Sequence, residues 1–181
     1  GITLMNHGLF TFGESPRQAY NRMIDLVSEA EAYIAENAQR EEADIAVGEP
    51  LQVDRLEIAA LRAQISEVAG RPFIVQRHTD AASWSFSRRP DLESLAGRGP
   101  VTPDHVIWTK PVPMFGKDAQ AFADAYVRYY EEHKQASTVT RMLDPAPRVV
   151  FDEEFGMLTA GPDVATADAA GNIYLQTINV I

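Results

Sequence analysis

Two glycine-bounded hexamers near opposite ends of the chain constrain its architecture more than any other feature. Gly8-Leu9-Phe10-Thr11-Phe12-Gly13 aligns without gaps against Gly156-Met157-Leu158-Thr159-Ala160-Gly161: both glycines and the threonine recur, and Leu9 is exchanged for Met157 of like volume. An apolar strand-forming run precedes each hexamer and a helical pattern follows it, with alanine at the same offset, Ala19 and Ala167. This recurrence of local pattern as well as letters predicts an internal duplication. The position before the first glycine differs in kind, His7 in one copy and Phe155 in the other. Any chemistry carried by that imidazole is kept in one copy and lost in the other.

Between the hexamers, strand and helix patterns alternate. Ile2 to Phe12 is a strand-forming run interrupted by Asn6-His7-Gly8, and Ser15-Pro16-Arg17-Gln18 supplies a helix cap, a proline at the first helical position and a glutamine three residues after the cap. The helix that follows is expected to bury Ala19, Met23, Leu26, Val27, Ala30, Tyr33 and Ile34 on one face. Residues 35–50 are polar and acidic and read as a linker. Beyond them, Val53, Leu56, Ala60, Leu61, Ile65 and Val68 mark a second helix stopped by Gly70, and Phe73-Ile74-Val75 reads as a strand. Ser83 to Pro90 and Gly97 to Pro100 read as a short helix and loops, and Val106-Ile107-Trp108 as a strand ended by Pro111 and Pro113. Asp118 caps a third helix with a buried face of Ala119, Phe122, Ala123, Tyr126, Val127 and Tyr130. Arg148 to Phe151 is a strand, and Gly161-Pro162-Asp163 opens the last helix. The expected fold is α/β, layered α/β/α, with a mixed sheet and helices outside.

Charge and composition narrow the function. Lys and Arg number 16 against 26 Asp and Glu, a net charge of -10, which disfavours nucleic acid as a partner. The absence of cysteine excludes disulfides, thiolate metal sites and a cysteine nucleophile; it fits a reducing cytoplasm without requiring one. No apolar run approaches the roughly 20 residues of a membrane span. The first residues run directly into a strand pattern with no initiator Met, so the chain is expected to be a piece of a longer protein.

Several residues are of the types that carry chemistry. His7 sits between an apolar run and a glycine, where an imidazole either binds zinc or is satisfied by backbone groups. His78, His105 and His133 are dispersed and read as surface or loop histidines, with Asp80 and Asp104 placed to orient His78 and His105 if they were metal ligands. Tyr130 and Lys134 have the Tyr-x-x-x-Lys spacing of short-chain dehydrogenases, although a place on the core face explains Tyr130 more simply. Asp152-Glu153-Glu154 reads as a charged turn, with a divalent-ion site as the alternative. Arg71, Arg77, Arg88, Arg89 and Arg98 with Lys110 concentrate positive charge that either binds phosphate or pairs with the surplus carboxylates.

Asn6-His7-Gly8-Leu9-Phe10-Thr11-Phe12-Gly13-Glu14-Ser15, followed by Ala19 and an amphipathic helix, resembles the C-terminal strand and helix of the class II aldolase/adducin family. Arg77-His78-Thr79-Asp80, Arg88 to Leu92, Thr102 to His105 and Met142 to Val149 extend the likeness to bacterial proteins that fuse a rhamnulose-1-phosphate aldolase to a short-chain dehydrogenase. The resemblance implies that residues 1–34 are the tail of an aldolase domain and residues 51–181 a degenerate aldolase-like domain. It implies aldol cleavage of a ketose phosphate such as rhamnulose 1-phosphate to dihydroxyacetone phosphate and an aldehyde. Zinc would polarise the substrate oxygens, with His7 as one of three imidazole ligands. No His-x-His pair and no Gly-x-Gly-x-x-Gly after a strand occur in the chain, so the other two ligands, the acid/base glutamate and any NAD site are expected outside it. The resemblance further implies a homo-oligomer with a sugar phosphate substrate, and leaves a non-catalytic adducin-like module or a dehydrogenase accessory segment as alternatives. On any of these readings the fragment alone lacks catalytic residues.

Overall fold

A computed structural model describes residues 1–5, 7–37, 48–102, 105–136 and 141–181. Most of the expected 35–50 linker, Asn6 and Asp104 lie outside the described residues. The chain divides into two units, Gly1–Asp44 and Ile45–Ile181.

In the first unit the apolar run folds as a hairpin, β1 (Ile2–Leu4) antiparallel to β2 (Gly8–Phe10), because the run is broken at the turn before Gly8, whose φ is 146°. Helix α1 (Pro16–Asn37) starts as the cap sequence requires: Gln18 N donates to Ser15 Oγ at 3.2 Å, and Glu14 N donates to Gln18 Oε1 at 2.8 Å. The expected buried face is not buried. No residue of α1 is buried, and Leu26, Val27, Tyr33 and Ile34 are exposed. A helix of 22 residues extends about 33 Å whereas a strand of three covers about 10 Å, so the hairpin cannot roof the stripe that its spacing defines.

The second unit is built on a four-stranded sheet of order β3-β6-β5-β4, with β3 at Ile74–His78, β4 at Met114–Phe115, β5 at Val149–Asp152 and β6 at Gly156–Gly161. β6 runs antiparallel to both neighbours, and β4 runs parallel to β5, which makes the sheet mixed. Its helices are α2 (Arg55–Ala69), α3 (Ala81–Ser87), α4 (Leu92–Ala96), α5 (Val106–Thr109), α6 (Ala119–His133) and α7 (Val164–Val180). The period-two alternation of strands divides the core. Val150, Leu158 and Ala160 pack with Leu61 and Ile65 of α2, Ala119 of α6 and Phe155 on one face. Val149, Phe151 and Met157 pack with Phe86, Ala96 and Tyr174 on the other, giving the three layers α/β/α. Each such large side chain contributes about 1.5–3 kcal/mol by burial.

Helix boundaries follow their caps: Asp54 accepts from Leu56 N, Asp118 from Ala121 N and Asp163 from Thr166 N, while Gly70 ends α2 at φ 69°. Val127 of α6 is exposed rather than on the core face. Val106-Ile107-Trp108 is not a strand but the single turn α5, closed by Lys110 N donating to Val106 O at 3.0 Å. β-branched and aromatic residues form strands only beside a partner, and the edge of β5 is taken by Met114 and Phe115. Among the described residues no helix is long and apolar enough to cross a membrane.

The two ends of the chain share geometry at one constant offset. Ile2–Phe10, Thr3–Leu9 and Leu4–Gly8 pair in the first hairpin; Val150–Leu158, Phe151–Met157 and Asp152–Gly156 pair in the second. Both hairpins lead into a positive-φ glycine, Gly8 and Gly156. A Cβ on Gly13 would lie 3.0 Å from Ala19 N, and one on Gly161 would lie 2.7 Å from Ala167 N. Ser15 and Asp163 each cap the following helix through the N–H three residues on, Gln18 and Thr166. Hairpin register, turn length, helix approach and cap all repeat.

Candidate functional site

The corner between the paired strands is where the copies part chemically. In the first, His7 is exposed; its ring stacks on Phe10 with centroids 6.0 Å apart, and its backbone N–H donates to Leu4 O at 3.1 Å. In the second, Phe155 is 0% exposed. Asp152 Oδ1 accepts from the N–H groups of Glu154 and Phe155, Arg77 Nε donates to Phe155 O at 2.8 Å, and Lys117 Nζ stands 4.1 Å from the ring centroid. One corner presents a nitrogen lone pair to its surroundings. The other is apolar and sealed.

Among the described residues no group of three His, Asp or Glu converges on a point where a cation would sit. Zinc takes three or four protein ligands, so the described residues around His7 do not by themselves make a zinc site. The acidic turn Asp152-Glu153-Glu154 is a charged turn: Asp152 folds it, and Lys117 bonds Glu154 while standing 3.9 Å from Asp152 and 3.7 Å from Glu57. The hydrogen bond to Glu154 raises the Lys117 pKa and keeps it charged.

The other histidines differ from their expected surface places. His78 is half-buried on β3, with Nε2 2.8 Å from Thr159 Oγ1 on β6 and the ring against Gly171 of α7. Desolvation lowers its pKa against the opposing pull of Asp80 and Asp168. Asp80 does not orient this ring; its carboxylate caps α3 through Ser83 N and Oγ. His105 is half-buried at the start of α5, and its Nδ1 finds no partner among the described residues. His133 alone is a surface histidine, bonded to Tyr129 O. Tyr130 lies half-buried on α6 and Lys134 pairs with Glu131, so the Tyr-x-x-x-Lys spacing does not bring a free ammonium to the phenol.

The basic residues do not converge as a group. Arg71 pairs with Asp144 at 3.7 Å, Arg77 bonds Leu51 O and Phe155 O, and Arg89 grips Asp91 with two bonds of 2.8 and 2.9 Å. Arg88 lies over Trp84 and donates to Glu153 O. Arg88, Arg89 and Lys117 share the wall of an open cavity of about 1120 Å³ with Asp91, Glu93 and Glu154, which leaves little unpaired positive charge for phosphate. Lys110 is 2% exposed and cannot serve as a surface cation.

Lys110 belongs to a polar cluster that sequence reasoning missed. Its ammonium donates to Asp144 O and lies over the Tyr126 ring, while the Asp144 carboxylate takes two bonds, 3.0 and 2.7 Å, from the buried Arg148. Desolvation, with the Arg148 charge adding to it, lowers the Lys110 pKa to about 7. Its backbone sits at φ 65°, ψ 169°, a region ordinarily reserved for glycine. The signal that was available is Asp144-Pro-Ala-Pro-Arg148, in which prolines fix an extended loop between opposite charges.

With this geometry in view, residues 52–181 match the family described as aldolase class II, second domain. The chain is 25% identical to the uncharacterized oxidoreductase YuxG of Bacillus subtilis (strain 168), over 99% of this chain and 29% of that protein. It thus spans less than a third of that relative's length. No solved structure gives a significant match. That match covers most of the chain, residues 52–181 of 181, and places it in the class II aldolase family.

Proposed function

We propose that the chain is the junction of a longer zinc-dependent aldolase, in which residues 1–34 end a catalytic aldolase domain and residues 51–181 form a metal-free aldolase-like domain. The observation that carries this reading is the pair of corners at constant offset: exposed His7 in one, sealed Phe155 in the other. His7 would be one ligand of the metal, and the bound zinc would supply Lewis-acid polarisation of a ketose phosphate such as rhamnulose 1-phosphate. The stack on Phe10 holds the imidazole plane, and the bond from the backbone N–H of His7 to Leu4 O fixes the turn that presents it. The carbon–carbon bond cleaved would release dihydroxyacetone phosphate and an aldehyde. The second domain would pack, orient or link its neighbours, in a homo-oligomer working in the cytoplasm.

A relative bearing the name oxidoreductase favours an additional dehydrogenase domain, with its own NAD, in the longer protein. Measuring zinc content and retro-aldol rate of His7→Ala in the longer protein tests the main reading. Both should fall together while the fold persists, and full metal occupancy with full rate would remove His7 from the ligand set.

A further inference from the structure

The copies differ in one further respect that their constant offset makes interpretable. β6 runs from Gly156 to Gly161 and is paired on both sides, by β5 and by β3. β2 stops at Phe10, and among the described residues only β1 pairs with it. The local determinants of the longer strand are nevertheless present in the first copy: the threonine, the closing Gly13 against Ala19, and the helix cap at Ser15. What β2 lacks, among the described residues, is a neighbour on its outer edge.

In the second copy β3 is that neighbour, antiparallel, from Ile74 opposite Gly161 to His78 opposite Met157. α7 packs on the same strands with Ala167, Ala170, Gly171, Tyr174 and Thr177 buried. α1, at the corresponding place, has no buried residue, and Phe10 and Phe12 are exposed beside it. An apolar strand with an open edge is a template for pairing. We infer that the outer edge of β2, continued from Leu9 to Gly13, is the docking line for an antiparallel strand from the part of the same polypeptide that precedes Gly1 in the longer protein, packed against α1 as β3 is against α7.

The source follows from order and length. β3 precedes β6 along the chain, so the same order in the first copy puts its counterpart upstream, and the chain covers 29% of a relative with ample further sequence. Register follows from the second copy. Ala160 N donates to Arg148 O at 2.8 Å, toward the β5 side, so Met157, Thr159 and Gly161 turn their N–H groups toward β3. Phe10, opposite Ile2, turns inward to β1, and a β2 continued to Gly13 at the same offset would turn the N–H groups of Leu9, Thr11 and Gly13 to the open edge. The source of the strand rests on reading residues 1–34 as the end of an aldolase domain; the register does not.

Amide hydrogen exchange resolved by residue, on the 181-residue chain and on the longer protein, tests this. In the longer protein Leu9, Thr11 and Gly13 should exchange at least about a hundredfold more slowly than in the shorter chain, with Phe10 little changed. Thr11→Pro, which removes one outward N–H, should return Leu9 and Gly13 to fast exchange. Unchanged rates, uniform slowing without alternation, or protection that persists in the proline variant would overturn the proposal. Alternating protection that rises with concentration in the 181-residue chain alone would overturn it too, because a second copy would then be the occupant. Stripping zinc from the longer protein should leave this pattern unaltered, so failure of the metal reading and failure of the strand are separately visible.

Discussion

The Lys110 ammonium stands 3.7 Å from the centroid of the Tyr126 ring, inside a core from which lysine is ordinarily excluded. Its pKa falls from 10.5 in the open chain to about 7 in the folded one. Between those values the unfolded chain holds a proton that the folded chain does not, so this group makes stability rise with pH across that window, and below about 7 its full penalty is present. Lys110→Met should therefore be more stable than the parent at pH 6, by about 1–3 kcal/mol, with the advantage gone near pH 10. Urea unfolding at a series of pH values checks this, and an equal loss of stability at both ends would refute it.

His78 carries a test of the same sign at lower pH. Its folded pKa lies below 6.5 because burial disfavours the charged ring, so the stability it contributes is complete above 6.5 and is lost as pH falls through the lower folded value. His78→Asn should flatten that part of the acid limb while lowering stability at neutral pH by about 1 kcal/mol. A melting series from pH 4 to 8 reads both effects.

Gly161→Ala should cost more than Gly13→Ala, although the two glycines serve the same joint. Each new Cβ would press on the first turn of the following helix, 2.7 Å from Ala167 N and 3.0 Å from Ala19 N. The Gly161 joint lies in the packed sheet, where yielding moves α7 and its buried Ala167 and Tyr174; α1 has no buried residue to displace. A loss of about 2–3 kcal/mol in cooperative unfolding is expected for Gly161→Ala and under about 1 for Gly13→Ala.

The 181-residue chain with added zinc should show no retro-aldol turnover. One imidazole does not supply the three protein ligands that a catalytic zinc takes. A coupled assay for dihydroxyacetone phosphate is the check, and turnover above the buffer rate would mean that a complete site resides in this chain.

Much of this architecture was legible because its signals are local. Ser15, Asp118 and Asp163 announce helix starts through their own hydrogen bonds, and Gly70 ends α2 through its own φ. What depends on a partner was not legible. Val106-Ile107-Trp108 has strand composition but no strand beside it, and Met114-Phe115 is a strand only because β5 is beside it. The stripe of α1 declares which face wants cover without saying what covers it. At the site, His7 stood out through its neighbours in sequence, whereas Lys110 did not, since lysine reads as solvent-facing until Tyr126 and Asp144 are folded over it.

Trp84 gives the folded body a practical border. Its buried indole N–H donates to Gly48 O at 2.7 Å, and Arg77 holds Leu51 O at 2.9 Å. A gene truncated to residues 52–181, the span of the family match, would discard both acceptors and strand an indole donor inside the protein. Expression of the second domain by itself should therefore begin no later than Gly48, and the yield of soluble protein should drop when the start is moved past it.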